Sequence, residues 1–405
     1  MKDIGKRILF FAPAATPDNP SKCPFVTQRL FELQRQGYSV TVIQSGNVNI
    51  LTAYETKRTG FIKLLALAYK FLMVLLNQNG GKKKYFKNDF GSYSYFDQLL
   101  FFSYKSFCKW YKKQKFVLVH AHFLWFAHLL PELKIRFAIP YVVTVHGSDM
   151  HEITLYDENK VSDALEILNN ADSCIFISNY LLKHAKSLGY DAHNANVIYN
   201  GINRRVFYYG TNCDENKGEK SVLLGFVGHP IFIKRADVLP LVLWLVKKEI
   251  PNAKMVILGS ATGDLLPYIK LQACVLGLQN DIEFVPSVSP EKVGDYMRKF
   301  DVLLFPSRND GFGCVAVEAQ ACGVGVVASS NGGIPEAVGK NGICVPESEN
   351  FIRDYANAII DWLKKKHNPK EIAQSVKEYS WESCVKKETQ IYDAIARSRF
   401  EEVNS

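Results

Sequence analysis

Asp310 and Glu318 stand eight positions apart, with Gly311-Phe312-Gly313 directly after the first acid and Gly323 after the second. Glycines allow a backbone to approach a ligand closely. A helix opening near Cys314 offers free N–H groups and the positive end of its dipole, which suit an anion or sugar hydroxyls. Two acids on either side of that turn can address different parts of one ligand. The plainer alternative makes Asp310 a turn cap and Glu318 a helix-surface charge, and the glycines around them weigh against it. His146 follows the apolar run Val142-Val143-Thr144-Val145 and precedes Gly147. A histidine at the carboxyl end of a strand faces the ligand side of an open α/β sheet more often than its core. His120 and His122 flank Ala121 in another apolar run, so alternation puts both on one face. With no third ligand nearby they read as packing or as a site edge, not as a metal pair.

The segments around these residues alternate strand and helix. Arg7 to Phe11 and Tyr38 to Gln44 read as strands, with helical spacing from Phe25 to Gln36 between them and Gly37 as its stop. That is a βαβ unit, and such units imply a parallel sheet. Further strands are expected at 117–121, 141–145, 173–177 and 195–198, with a helix over 161–169. The alternation then restarts, with strands at 222–227, 254–258, 282–285, 302–305 and 324–328. Helices at 238–248, 266–276, 292–298 and 315–321 separate them. The polar stretch Tyr209 to Lys220 carries no apolar periodicity and reads as the linker. The expectation is two Rossmann-like doubly wound domains facing across a cleft. They are an N-terminal domain over 1–205, a C-terminal domain over 206–380, and a C-terminal helix over 381–405, whose helical spacing runs from Trp381 to Ile395.

The chain has 405 residues, too many for one ordinary domain, and its 47% apolar and 22% charged residues are soluble globular values. No secretory signal and no 18-residue apolar window is present, so no membrane-spanning helix is expected. Nine cysteines are scattered without C-x-x-C spacing and read as reduced core residues. The formal charge of +9 is concentrated: from Glu55 to Lys115 there are thirteen Lys/Arg against three acids. Within 57–115, Phe61, Leu64, Leu65, Ala68, Leu72, Leu75 and Leu76 fall at helical spacing, followed by Lys82-Lys83-Lys84 and aromatic residues from Phe101 to Tyr111. Basic residues interleaved with large apolar ones fit peripheral contact with a membrane surface. They equally fit helices that cover the sheet. No nucleic-acid motif accompanies them.

Asp310-x7-Glu318 around Gly-Phe-Gly resembles the E-x7-E signature of retaining GT-B glycosyltransferases of family 4, also called glycosyl transferases group 1. The resemblance extends to Tyr199-Asn200-Gly201-Ile202-Asn203 with Phe207, to Phe226-Val227-Gly228, to Asn331-Gly332-Gly333-Ile334-Pro335-Glu336, to Asn341–Val345 and to Val145-His146-Gly147-Ser148-Asp149. It implies that Glu318 holds the ribose of a nucleotide. Asp310, Gly311, Phe312 and Gly313 meet the donor sugar. Lys234 neutralises the diphosphate, with Gly228, His229 and Arg235 beside it, and Phe284 to Val288 receives the nucleobase. His146 contacts the sugar near the reacting carbon, and the helix over 381–405 crosses back to pack on the N-terminal domain. Apart from the resemblance, Asp149 reads as a loop cap or else an acceptor contact, and Asn200 as an acceptor-side residue. Asp310 stands where the family has Glu, His229 where it has Arg, and Arg235 where Gly is common. The loop Ala12 to Pro24 is similar to the subset reading P-x-x-x-x-P-F-V-x-x-Q.

The implied reaction is transfer of a sugar from a UDP- or GDP-linked donor to a glycan or lipid-linked acceptor with retention, in polysaccharide or glycolipid assembly. The leaving diphosphate gains charge as the glycosidic bond breaks, so a cation and helix amides aimed at it serve the transition state. No D-x-D occurs in the chain, so no metal and no other cofactor is expected. The expected location is the cytoplasm, or the inner face of its membrane. The rival readings are a phosphorylase, a nucleotide-sugar epimerase that turns its donor over without acceptor, and a catalytically silent scaffold of the same fold.

Overall fold

The computed structural model describes residues 6–12, 24–44, 104–151, 158–210, 221–259 and 265–404. The loop over 13–23, most of the basic segment 57–115, and the linker over 211–220 lie outside the described residues. The chain forms two compact units. Unit 1 contains Met1–Ile177, Leu182–Ile198 and Val385–Ser405, and unit 2 contains Ser178–Leu181 and Tyr199–Cys384.

Unit 1 is built on six parallel strands in the order β2-β1-β3-β4-β5-β6. They are β1 (Arg7–Ala12), β2 (Ser39–Gln44), β3 (Leu118–His122), β4 (Tyr141–Val145), β5 (Ser173–Phe176) and β6 (Ala195–Val197). β1, β3 and β4 are continuous apolar or hydrogen-bonded runs buried on both faces, which parallel strands between helical layers must be. The helix Pro24–Arg35 turns back at Gly37, whose φ of +85° permits the Tyr38 N–H to reach the Leu33 carbonyl at 3.0 Å. The described end of the basic segment is the helix Tyr104–Gln114. Its Cys108 and Tyr111 are buried, and its Phe107 ring lies 6.5 Å from Phe11 of β1, so this turn of the segment packs on the sheet.

The sheet of unit 2 is also six-stranded and parallel, ordered β12-β11-β10-β7-β8-β9. Its strands are β7 (Leu223–Val227), β8 (Lys254–Leu258), β9 (Ile282–Val285), β10 (Val302–Phe305), β11 (Gly325–Ser329) and β12 (Gly342–Val345). The core lies between this sheet and the helices Leu239–Glu249 and Phe351–Lys364, with Phe226, Val242, Ile257, Leu304 and Ile359 at its centre. Tyr355 bolts the strand ends together. Its hydroxyl donates to the Val327 carbonyl at 2.5 Å and accepts the Phe305 N–H at 2.8 Å.

After the short excursion Ser178–Leu181, the chain enters unit 2 again at Tyr199, ahead of the division at 205/206 read from sequence. Ile202 bridges to Ser380 and donates its N–H to the Tyr379 carbonyl at 2.8 Å, and Arg298 bonds the Val206 carbonyl at 3.0 Å. These bonds tie 199–207 to unit 2. The last helix, Trp381–Asn404, joins unit 1 from Val385 onward. There Glu388 meets Arg29, Tyr392 meets His120, and Asp393 meets Tyr38.

Candidate functional site

In unit 2 the strand order reverses between β7 and β10. Ligands of open α/β sheets bind beyond the carboxyl ends of the strands at such a reversal. The loop after β7 carries Gly228, His229, Lys234 and Arg235, and the loop after β10 carries Arg308 to Gly313. Lys234 closes a single 3-10 turn, and its Nζ lies 2.6 Å from Asp310 Oδ2. Arg308 locks the two loops. Its guanidinium lies over the Phe232 ring and grips Asp237 with two bonds of 2.9 Å, while its own N–H donates to the Ile233 carbonyl at 2.8 Å.

The turn that follows is shaped by close approach. Asp310 Oδ1 accepts the Phe312 N–H at 3.3 Å. Gly313 has φ +96°, and a Cβ there would lie 2.5 Å from the Phe305 ring, so no other residue fits without strain. Gly313 is the N-cap of the helix Cys314–Ala321, and no side chain caps it. The first amides of a helix have no intrahelical partner, so they are open to a ligand. Glu318 lies one turn further on. Its side chain is partly accessible, yet its carboxyl group is desolvated and pushed up to about 7, with no hydrogen bond to another described residue. A desolvated carboxyl group that lacks a partner but keeps an opening is poised for hydroxyl donors from outside.

Behind the turn runs the loop Asn331–Glu336. The Gly333 N–H donates to the Asp310 carbonyl at 2.8 Å, and a Cβ on Gly332 would lie 2.3 Å from that same oxygen. This buttress was legible only as a family fragment, because its glycines serve another loop rather than a ligand. Arg235, at φ +51°, pairs with Glu347 at 2.7 Å and lies over the Phe351 ring, so a donor contact from Arg235 competes with an existing ion pair. His229 is exposed beyond β7. Val288 is half-buried in the loop after the edge strand β9, and residues 260–264, which follow β8, lie outside the described residues. Asn200 is buried and hydrogen-bonded to Cys314. That places it against the helix start.

In unit 1, β3 and β4 present a histidine ladder. His120 bonds the Tyr392 hydroxyl at 2.6 Å and the Thr144 hydroxyl at 2.7 Å. His122 Nδ1 lies 3.1 Å from His146 Nε2, and the His146 ring packs on Phe25 and Phe123. Burial, helped by the nearby Arg29 charge, pushes all three imidazoles well below their usual range, so they are neutral. His146 Nδ1 and His122 Nε2 are buried without partners. Phe123, which stacks on Trp125, is held at φ +74°, an uncommon conformation for a bulky residue and a mark of local strain. Asp149 is fully buried. It accepts the N–H of Leu124 at 3.0 Å, of His146 at 3.0 Å and of Gly147 at 2.8 Å, and burial still lifts it to about 6. It therefore caps and orients the loop that carries His146. Among the described residues no group of three His, Cys, Asp or Glu is arranged to hold a metal ion.

Two all-parallel doubly wound units, the second with a glycine turn and uncapped helix at its switch point, define a protein of the GT-B fold. Residues 213–379 match the family of glycosyl transferases group 1, and residues 26–206 match glycosyltransferase family 4. An uncharacterized glycosyltransferase of Methanocaldococcus jannaschii is 30% identical over 291 residues, 69% of this chain and 76% of that one. A D-inositol 3-phosphate glycosyltransferase of Mycobacteroides abscessus is 27% identical over 277 residues, 62% of this chain and 59% of that one. Among solved structures, sucrose-phosphate synthase from Thermosynechococcus elongatus superposes with a TM-score of 0.71 at 19% identity, covering 97% of this chain and 100% of that one. Anabaena HepE in complex with UDP-glucose gives 0.61 at 17% identity, over 98% of this chain and 99% of that one. The chain belongs to the group 1, family 4 glycosyltransferases.

Proposed function

We propose that the chain moves a sugar from a UDP- or GDP-linked donor to a glycan or lipid-linked acceptor, with retention and without a metal, in polysaccharide or glycolipid assembly. The observation that carries the donor half is in unit 2. A cation, an uncapped helix start and a desolvated Glu318, without a hydrogen bond to another described residue, share the switch point of one sheet. Lys234 leaves Asp310 for the diphosphate, and the amides of the Cys314–Ala321 helix share that charge. Glu318 accepts the ribose hydroxyls, and Asp310 accepts hydroxyls of the sugar. Charge that grows on the leaving diphosphate meets groups already in place, the condition under which electrostatic stabilisation is largest. The loops after β7 and β10 supply a cation and amides where a metal would otherwise serve, and the chain has no D-x-D. His146, neutral and held by Asp149, is proposed to bond the donor sugar. Bound UDP and UDP-glucose in the HepE structures support a nucleotide-sugar ligand for this fold. Peripheral membrane contact through 57–115 belongs to the same proposal. Binding to vesicles of anionic lipid tests it.

Thermal unfolding against UDP-, GDP- and ADP-sugars in EDTA tests the donor site. A ligand that binds only the folded state raises its apparent stability. The expected result is a shift with one nucleotide that Glu318→Ala abolishes. No shift with any donor would move the silent-scaffold reading to the front. The anomeric configuration of the product, read by NMR, tests retention.

A further inference from the structure

We infer that Tyr199 is a positioning residue for the glycine turn Gly311–Gly313, and that Glu336 fixes Tyr199 in place. Its consequence for catalysis rests on the donor reading above, but its geometry does not. The Tyr199 ring stacks on Phe312 with centroids 5.0 Å apart and planes 27° from parallel. Tyr379 closes the group, 5.6 Å from Tyr199 and 5.8 Å from Phe312. The Tyr199 hydroxyl donates to Glu336 Oε2 at 3.0 Å and accepts from Asn179 Nδ2 at 2.7 Å. Glu336 also accepts the N–H of Asn179 at 2.8 Å and of Tyr180 at 2.7 Å, at the start of the helix Asn179–Ser187. A carboxylate against helix-terminal amides is a strong, charge-assisted acceptor, so the phenol it holds is fixed at its far end. All of these residues lie in unit 2.

The turn needs such a fixture. Gly311 and Gly313 have no side chains, and glycine gives up more conformational freedom on ordering than any other residue. Phe312, 1% exposed, is the only side chain between them that can anchor the backbone. Stacked rings have a preferred offset and tilt, so Tyr199 sets the orientation of Phe312 and, through it, the flanking amides and Asp310. A core role alone would be met by any apolar residue of similar size. A positioning role needs the ring, and to a lesser degree its hydroxyl.

Hydrogen–deuterium exchange of the full chain without ligand separates the two. In Tyr199→Leu, exchange in the peptide spanning 310–316 is expected to rise about tenfold, while β10 at Val302–Phe305 stays at the wild-type rate. Tyr199→Phe, which keeps the stack, is expected to show a rise of about two- to threefold. Titration with UDP and GDP should show affinity falling about tenfold in Tyr199→Leu for whichever nucleotide the wild type binds. Wild-type exchange at 310–316 in Tyr199→Leu, or a rise shared equally by β10, overturns the inference. Wild-type protein that binds neither nucleotide, with the turn still loosened in Tyr199→Leu, overturns the donor reading and leaves the clamp standing.

Discussion

Lys234 Nζ and Asp310 Oδ2 stand 2.6 Å apart at the point where the strand order of unit 2 reverses, with side chains 31% and 19% exposed. A partly exposed ion pair of this kind contributes at most about 1 kcal/mol to stability. Its weight lies in what it holds ready. In the proposed function, an arriving diphosphate takes the ammonium, and the separation frees a carboxylate for sugar hydroxyls.

Substitution at the two ends should therefore have different consequences. Lys234→Met is expected to weaken binding of the nucleotide itself by about two orders of magnitude, the loss of a charge-assisted contact worth ~1.5–3 kcal/mol. Asp310→Asn should leave nucleotide affinity within about threefold and reduce the gain that the attached sugar provides. Calorimetric titration with free nucleotide and with the nucleotide-sugar distinguishes them. Equal losses for both ligands in Asp310→Asn would sink the assignment of Asp310 to the sugar.

If Glu318 holds the ribose as proposed, donor binding should depend on pH. Burial lifts its carboxyl group to about 7, above its ordinary value of 4.5. The folded, unliganded protein thus holds a proton that the unfolded chain has lost between those values. The stability this provides is complete below about 4.5 and is lost as pH rises through about 7. Ribose hydroxyls donating to the anion, as proposed, would make the liganded state prefer the ionised form. Affinity for the donor should rise from pH 6 to pH 8, and Glu318→Gln should bind weakly with a flat profile. A wild-type affinity independent of pH over that range contradicts this role.

Most strands of both sheets were legible because parallel strands buried on both faces are continuous apolar runs, whereas the half-buried edge strand β12 was not read as a strand. β4 and β10 begin and end where those runs do, and β8 and β9 keep the expected bounds although Lys254 and Glu283 depart from the apolar pattern. The helix Trp381–Asn404 was read only to Ile395, because Arg397 to Glu402 breaks the apolar spacing while remaining a good helix former. The helix Asn179–Ser187 was missed because its cap, Glu336, lies far along the chain. Asp310 and Glu318 stood out through the glycines between them. Arg308, in the same motif, did not, since its partner Asp237 comes from another loop. The buried roles of Asp149 and Asn200 were hidden for the same reason. A short polar residue after a strand has one sequence signature whether it faces a ligand or a backbone amide.

The buttress behind the donor turn predicts a loss of function without unfolding. Gly332 lies at φ +64° with its Cβ position 2.3 Å from the Asp310 carbonyl. Gly332→Ala must displace backbone, and the nearest backbone is the donor turn. Nucleotide affinity should fall at least about tenfold, against a stability cost of about 1–3 kcal/mol from the strained conformation and the contact. Urea unfolding together with nucleotide titration reads both quantities. Unaltered affinity would mean that the turn is held by other contacts.

In unit 1 the pair Arg29–Glu388 joins the first helix to the last at 2.6 Å, and both side chains are 0% exposed. A buried pair costs much of its attraction in lost hydration, so its removal as a whole is often neutral, while removal of one partner strands a charge. Arg29→Met should destabilise the chain by about 3–5 kcal/mol. Glu388→Leu alone should do the same, and the double substitution should recover most of the loss. The Arg29 charge also helps to keep His120, His122 and His146 neutral. In the double variant those imidazoles should titrate closer to their ordinary range, readable from their NMR ring-proton shifts between pH 4 and pH 8. Costs that simply add in the double variant would show that the two residues stabilise unit 1 independently. Unmoved imidazole titrations would assign their neutrality to burial alone.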